Sequence, residues 1–457
     1  MTAHAIAGLV LFNALVLILG ASALWGIRGW ETWFEFGRFA GLAYLLGVAL
    51  FGAAWTLLLV VGVRFGLLPI VISAAILGSL GVALGVRNRR PKPGLGRLGT
   101  VGAHSLVSAV GVAAAGLFLE ALFRVGRLSG LFAFDAWAFW VPRAKAIYFY
   151  GGLDHQIFTT LPNPSYPPVI PIIDAAAFHF MGEPDTVTLH LQYWFFAVGF
   201  VAAVAGLLWR RVPPWILWPF LVLMLVAPRL SVRLLTPQAD FLVDFLFVVA
   251  ALLVGIWLRD RERWLLVAAS LLLCGATLTK REGLFFAACL FVAAGLATSR
   301  HWRSTWPPLL ASASAVALVS APWRIWYLRN GIGSEAQATG GVGRGVDSHG
   351  VREALDLSIR VLFDTSRWSL IPVVAVAAIV LAALWWSRSQ AAYFGALAAL
   401  VTLGGAWITY SFSAPITSNE SVNPIVRYTA AIVLAGACAA PLLLAGVWPG
   451  RSGTDEA

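Results

Sequence analysis

Four short stretches of this sequence collect acids and cations in patterns that could hold a proton, a phosphate or a sugar hydroxyl. "FDAWAFWVPRAKAIYFYGGLD" (134–154) sets Asp135, Arg143, Lys145 and Asp154 among seven Phe, Trp or Tyr residues. "TPQADFLVDFLF" (236–247) opens an apolar run with Asp240 and repeats the acid one turn later at Asp244. "LTKREGLFF" (278–286) places Lys280, Arg281 and Glu282 side by side, and "NPIVRYTAAI" (423–432) carries Arg427 and Tyr428.

Each stretch has a structural and a chemical reading. Asp135 fits the N-cap of a following helix, because Asp accepts bonds from first-turn amides. Flanked by Phe134, Ala136 and Trp137, it is equally a carboxyl with an altered proton affinity and a candidate general base. Arg143 and Lys145 either snorkel, with apolar stems along lipid, or contact a phosphate. Asp240 suits a helix start. Asp244, inside the run, should face other helices and pair there, since ionisable groups in a span are costly and usually functional. Lys280, Arg281 and Glu282 interrupt an apolar stretch from 264 to 299, which predicts a tight hairpin at the membrane surface level with Asp240. Arg427 and Tyr428 serve as anchors at a span mouth or as a phosphate contact.

The elements that must position these residues are membrane helices. Hydrophobic residues make up 60% of the chain and charged residues 12%, where a soluble domain has about 25% charged. Mean hydropathy is +0.83. Apolar runs of about 20 residues, enough to cross a bilayer, recur along the sequence. Backbone in lipid must satisfy its own polar groups, so the fold class is an all-α polytopic membrane protein. Thirteen spans are predicted, near 5–26, 39–61, 65–86, 99–123, 187–209, 213–228, 240–258, 264–279, 283–299, 307–323, 368–386, 390–411 and 428–447. The segment 166–181, "YPPVIPIIDAAAFHFM", holds Asp174 and three prolines and suits an interfacial or re-entrant helix.

Charge gives an orientation. With "RNRRPKPGLGR" (87–97) in the cytoplasm, the "RR" at 210–211, "RDRER" at 259–263 and "RHWR" at 300–303 fall on the same side. Lys and Arg are then about threefold denser in the inner segments, as the positive-inside rule requires. The expected location is the inner (plasma) membrane, with 124–186, 324–367 and 412–427 on the extracytoplasmic face. The organisation follows: a four-helix N-terminal transmembrane region (1–123), an outer loop with interfacial helices (124–186), a transmembrane core (187–447) and a cytoplasmic tail (448–457). The Gly-rich loop 324–367 is long enough for a lid or binding loop.

The net charge of +11 is explained by arginines at helix ends and does not imply nucleic acid. Cys274, Cys289 and Cys438 lie in apolar runs without metal spacing and read as small core residues. No nucleotide-binding fingerprint or nucleophile elbow is present.

The order of these motifs resembles the GT-C superfamily of membrane glycosyltransferases, especially the protein O-mannosyltransferase and aminoarabinose-transferase type. "FDAWAFWVPRAKAIY" with "YPPVIPIIDAAAFHFMG" is similar to that family's first outer loop. "PQAD", "TKREG" and "VRY" resemble its later acidic, lysine and arginine motifs. The resemblance covers about 130 to 430. It implies Asp135 as the base and Asp240 as a second site acid. Lys280 and Arg427 would contact the donor phosphate, and Arg143, Lys145, Tyr166 and Glu282 would line the substrate site. It implies an inverting transfer from a polyprenyl-phosphate-linked sugar to a lipid, glycan or protein acceptor, with membrane lipids as surroundings. Tyr166 stands where the family commonly has His. No metal ligand set is complete, so a divalent cation stays open. A transporter or lipid flippase is the alternative; it would carry its polar groups at mid-membrane depth.

Overall fold

The computed structural model describes residues 1–95, 103–131, 133–235, 238–331, 348–412 and 425–447. It is 84% helical and, among the described residues, has no strand. In chain order the helices are α1 (Ala3–Ile27), α2 (Trp33–Val60), α3 (Leu67–Arg87), α4 (Ala103–Gly126), α5 (Val141–Tyr150), α6 (His155–Thr160) and α7 (Val169–Met181). Next come α8 (Thr186–Leu208), α9 (Pro214–Val226), α10 (Pro228–Leu235), α11 (Ala239–Asp260), α12 (Arg263–Thr279), α13 (Arg281–Ala297) and α14 (Trp302–Arg329). The last are α15 (Ser348–Leu362), α16 (Thr365–Trp368), α17 (Ile371–Trp385), α18 (Arg388–Phe412) and α19 (Ile425–Leu444).

Nine of the described helices are long and apolar enough to cross a membrane. The predicted crossings at 213–228, 264–279, 283–299 and 368–386 are all helical, but only 13, 17, 17 and 15 residues long. A helix of that length is shorter than the roughly 20 residues a perpendicular crossing needs. The Gly-rich centre of the 324–367 loop, most of 412–427 and the 448–457 tail lie outside the described residues.

Local chemistry starts these helices where the sequence changes character. Thr2 and Thr32 cap α1 and α2 through their hydroxyls, which accept from Ala5 N and Glu35 N, each at 3.1 Å. Asp185 accepts from Val187 N and Thr188 N to start α8. The core is built around α11, whose residues 239–258 are all buried and which packs on α8, α12, α13, α18 and α19. The N-terminal helices α1 and α2 pack within the same interior, against α7, α8 and α12. They cross closely: a Cβ on Gly20 would lie 1.7 Å from Ala43 O, and one on Gly47 1.9 Å from Val16 O. Without hydrophobic exclusion between helices in lipid, such close backbone approach is what gives tight van der Waals packing.

The two ends of the bundle differ. Asp240 lies in the first turn of α11 and Asp260 ends it, so about 30 Å of helix separates them. The Asp260 end gathers Arg211, at 2.7 Å from its carboxylate, and Arg259. The Asp240 end gathers Asp135, Lys280, Glu282 and Arg427.

Candidate active site

Asp135 lies in helical backbone (φ −58°, ψ −34°) and its side chain makes no capping bond. The cap role in that stretch belongs to its other acid: Asp154 accepts from Ile157 N at 2.8 Å to start α6. Residues Ala136–Trp140 after Asp135 form a π-helical turn in which Val141 N donates to Ala136 O. Pro142 gives the reason. It has no N–H and its ring clashes with the carbonyl four residues back, and a π turn inserts one residue that relieves both. The extra residue rotates Asp135 relative to α5. Such turns recur at functional sites.

Asp240 is buried at the start of α11, and its Oδ1 accepts from Lys280 Nζ at 2.7 Å. Lys280 is the single extended residue (φ −156°, ψ 158°) of the tight connection between α12 and α13, level with Asp240, and its side chain is fully buried within the protein. Gly283 makes that junction possible. Its Cβ position lies 2.1 Å from Ala276 O and 2.4 Å from Ala276 C, so only glycine lets α13 pack on the last turn of α12. Glu282 Oε1 lies 3.4 Å from Lys280 Nζ, and its Oε2 is buried with no hydrogen-bond partner.

Arg427, on the first turn of α19, completes the cluster from a fourth segment of the chain. Its guanidinium sits among three carboxylates: Asp240 at 3.8 Å, Asp135 at 3.9 Å and Glu282 at 3.9 Å. All three distances exceed a hydrogen bond. Arg427 is therefore held by charge while its donors stay available, and its side chain is 36% exposed. Tyr428 is buried beside it, edge-on to Phe285 and Phe286.

The aromatic residues of the opening stretch support this cluster from below. Trp140 stacks on Tyr166 (centroids 5.6 Å apart, 16° between planes), and Phe139 meets Tyr166 at 6.0 Å. Over the Tyr166 ring lie Lys280 Nζ at 5.4 Å and the Arg281 guanidinium at 5.1 Å, a cation–π arrangement.

Arg143 serves this floor at one remove. It is fully buried between the Phe139 and Phe158 rings and donates to Pro162 O and Asn163 O, each at 2.9 Å. It thus fixes the turn that leads into Tyr166. It does not meet the carboxylates, and the snorkelling reading does not apply to it. Lys145 is half-buried on α5 and makes no ion pair among the described residues. Asp244 is buried one turn below Asp240 and lines a small cavity of about 20 Å³ with Phe200, Met224 and Phe241.

Electrostatics follow from burial and charge. Burial raises the pKa of Asp135 above an ordinary carboxyl's, against the opposing pull of Arg427 and Lys280. For Lys280, burial disfavours the charge, but Asp240 and Glu282 outweigh it and hold its pKa above a usual lysine's. Among the described residues no group of three or more His, Cys, Asp or Glu is placed to hold a metal ion. The three acids are arranged around Arg427 instead, so the donor set does not fit a divalent cation.

The structure thus unites Asp135, Tyr166, Asp240, Lys280, Glu282 and Arg427, drawn from separate parts of the chain. It leaves Arg143 beneath the cluster and Lys145 apart from it. Two contributors went unassigned in the sequence: Arg281, whose only signal was its place in the Lys-Arg-Glu run, and Trp140, whose stacking on Tyr166 has no sequence signal.

No protein-family model, no curated protein and no solved structure matches this chain.

Proposed function

We propose that this protein is an integral membrane glycosyltransferase. It transfers a sugar, with inversion, from a polyprenyl-phosphate donor to a lipid, glycan or protein acceptor at the extracytoplasmic face of the cell membrane. The observation that carries the proposal is the meeting of Asp135, Asp240 and Glu282 with Lys280 and Arg427 at one end of the bundle. The GT-C-like order of the motifs supports the same class.

Inverting transfer needs a base on the acceptor and charge compensation on the leaving phosphate. Asp135, partly buried at the rim, accepts the acceptor hydroxyl's proton. The acceptor oxygen forms its bond to the anomeric carbon as the carbon–oxygen bond to phosphate breaks, and the bonding pair leaves on the phosphate. Arg427 faces that charge, because its donors are not consumed by its carboxylate neighbours. Lys280 is already engaged by Asp240 at 2.7 Å, so this pair positions Arg427 and Glu282 and is a poorer phosphate contact. The four shorter helices complete thirteen passes if the bilayer thins around them and their flanking residues continue the crossing.

The transporter reading finds one supporting feature. Asn13, Tyr44 and Gln192 meet inside the bundle through mutual hydrogen bonds of 2.6 to 3.1 Å. These groups satisfy one another, as polar residues binding membrane helices together do, and the charged groups gather at helix ends instead.

The test is transfer of labelled sugar by the purified full chain in liposomes. Polyprenyl-phosphate sugars should serve as donors and nucleotide sugars should not. Failure of every polyprenyl-phosphate donor, with donor lipid moving across the bilayer, would replace this reading by the flippase.

A further inference from the structure

The opposite end of the bundle carries a second built site. Arg38 near the start of α2, Arg210 and Arg211 after α8, Arg259 near the end of α11 and Arg388 at the start of α18 line one cavity of about 920 Å³. Asp260 lines it too, but its carboxylate is taken by Arg211 at 2.7 Å. A second cavity of about 760 Å³ shares Arg38 and Arg210 and runs away from them between α8 and α4. Its walls are apolar and small: Val198, Ala202 and Gly206 on one side, Ala115, Gly116 and Leu119 on the other. Glu35 lies at its charged end, and Arg28 holds that carboxylate at 2.6 Å. Arg38 Nε is buried there without a hydrogen-bond acceptor.

Dimensions identify the occupant. From Val198 to Arg210 is about 18 Å along a helix at 1.5 Å per residue. One leaflet's share of the hydrocarbon core is about 15 Å. The groove is therefore one leaflet deep, apolar along its length and cationic at its mouth.

We propose that this groove binds an anionic phospholipid of the adjacent leaflet. Its phosphate would lie between Arg38, Arg210 and Arg388, and an acyl chain along the Val198–Gly206 face of α8. Basic pockets between membrane helices recognise lipid headgroups in this way. The charge surplus selects an anionic lipid over a zwitterionic one. The site is about a bilayer away from Asp135 and does not depend on the proposed transfer.

The experiment is native mass spectrometry of the full chain, purified from membranes and titrated with phosphatidylglycerol or phosphatidylcholine. Two variants separate the headgroup from the chain. Arg210→Gln/Arg388→Gln alters two exposed arginines. Gly116→Phe fills the groove from a position where an added Cβ meets nothing within 4 Å. Phosphatidylglycerol should be retained in preference to phosphatidylcholine, and each variant should lower its occupancy by roughly tenfold. Equal retention of both lipids, or retention untouched by Gly116→Phe, would overturn the proposal. So would inorganic phosphate competing as well as the lipid, which would make this a free-anion site. If one variant fails to fold, the other decides.

Discussion

Lys280 Nζ lies 2.7 Å from Asp240 Oδ1, and this buried pair ties the start of α11 to the end of α12. Glu282 and Arg427 are arranged around it, so the pair is the keystone of the cluster. Removing one partner leaves the other buried without its closest counter-charge, with only Arg427 at 3.8 Å from Asp240 or Glu282 at 3.4 Å from Lys280 in its place; breaking a buried pair in this way costs up to about 3–5 kcal/mol. Lys280→Met and Asp240→Leu should each lower the unfolding midpoint sharply, and the double variant should lower it less than either. Thermal unfolding of the purified proteins in one detergent checks this. Additive losses would show that the two charges are not coupled.

Gly283 should tolerate no side chain. Alanine there would place a Cβ 2.1 Å from Ala276 O and push α13 off α12, moving Glu282 with it. Gly283→Ala is expected to give a destabilised protein without transfer activity. Gly295→Ala in the same helix, where an added Cβ meets nothing within 4 Å, is expected to behave as wild type. Size-exclusion profiles and melting curves of the two variants provide the comparison.

The pH dependence of transfer should report Asp135. A base acts only when ionised, and burial raises the Asp135 pKa. Transfer efficiency should therefore fall as pH drops, with the midpoint of the acidic limb above that of an ordinary carboxylic acid. A profile of kcat/KM against pH gives the midpoint. A limb at or below the usual aspartate range would assign the base elsewhere, with Asp240 the next to test.

Asp174 offers a stability test away from the cluster. It is fully buried in α7, neither carboxyl oxygen has a hydrogen-bond partner, and burial raises its pKa well above normal. The sign is that of a proton held more tightly by the folded state. Stability from this group is full below the unfolded carboxyl's pKa of about 3.9 and declines as pH rises toward the folded value. Asp174→Leu should raise the melting temperature at neutral pH and flatten its dependence on pH. An unchanged melting temperature would mean that Asp174 has a partner in solution.

Much of this was legible in the residues. The helical class followed from apolar runs that only helices can satisfy in lipid. The four charged stretches stood out because an apolar chain has few other reasons to carry them. What the sequence hid was depth and direction. "LTKREG" reads as a surface hairpin because three adjacent charges normally seek water; in the fold, Asp240 and Glu282 compensate Lys280 and let it be buried. Arg143 reads as a substrate contact because it sits in an aromatic surface stretch. It is turned inward by two backbone carbonyls of a turn 19 and 20 residues away, a pairing that no local pattern encodes. The π turn of Ala136–Trp140 was likewise marked only by Pro142.

In the proposed reaction Asp135 serves the acceptor and Arg427 the donor. The most direct measurement compares sugar transfer and donor binding for wild type, Asp135→Asn and Arg427→Gln, each shown to be folded by its melting curve. The account predicts that Asp135→Asn binds the polyprenyl-phosphate sugar as wild type does but transfers it about 10²–10⁴-fold more slowly, the loss typical of a general base. Arg427→Gln should lose donor affinity. Transfer at the wild-type rate by Asp135→Asn would contradict the account.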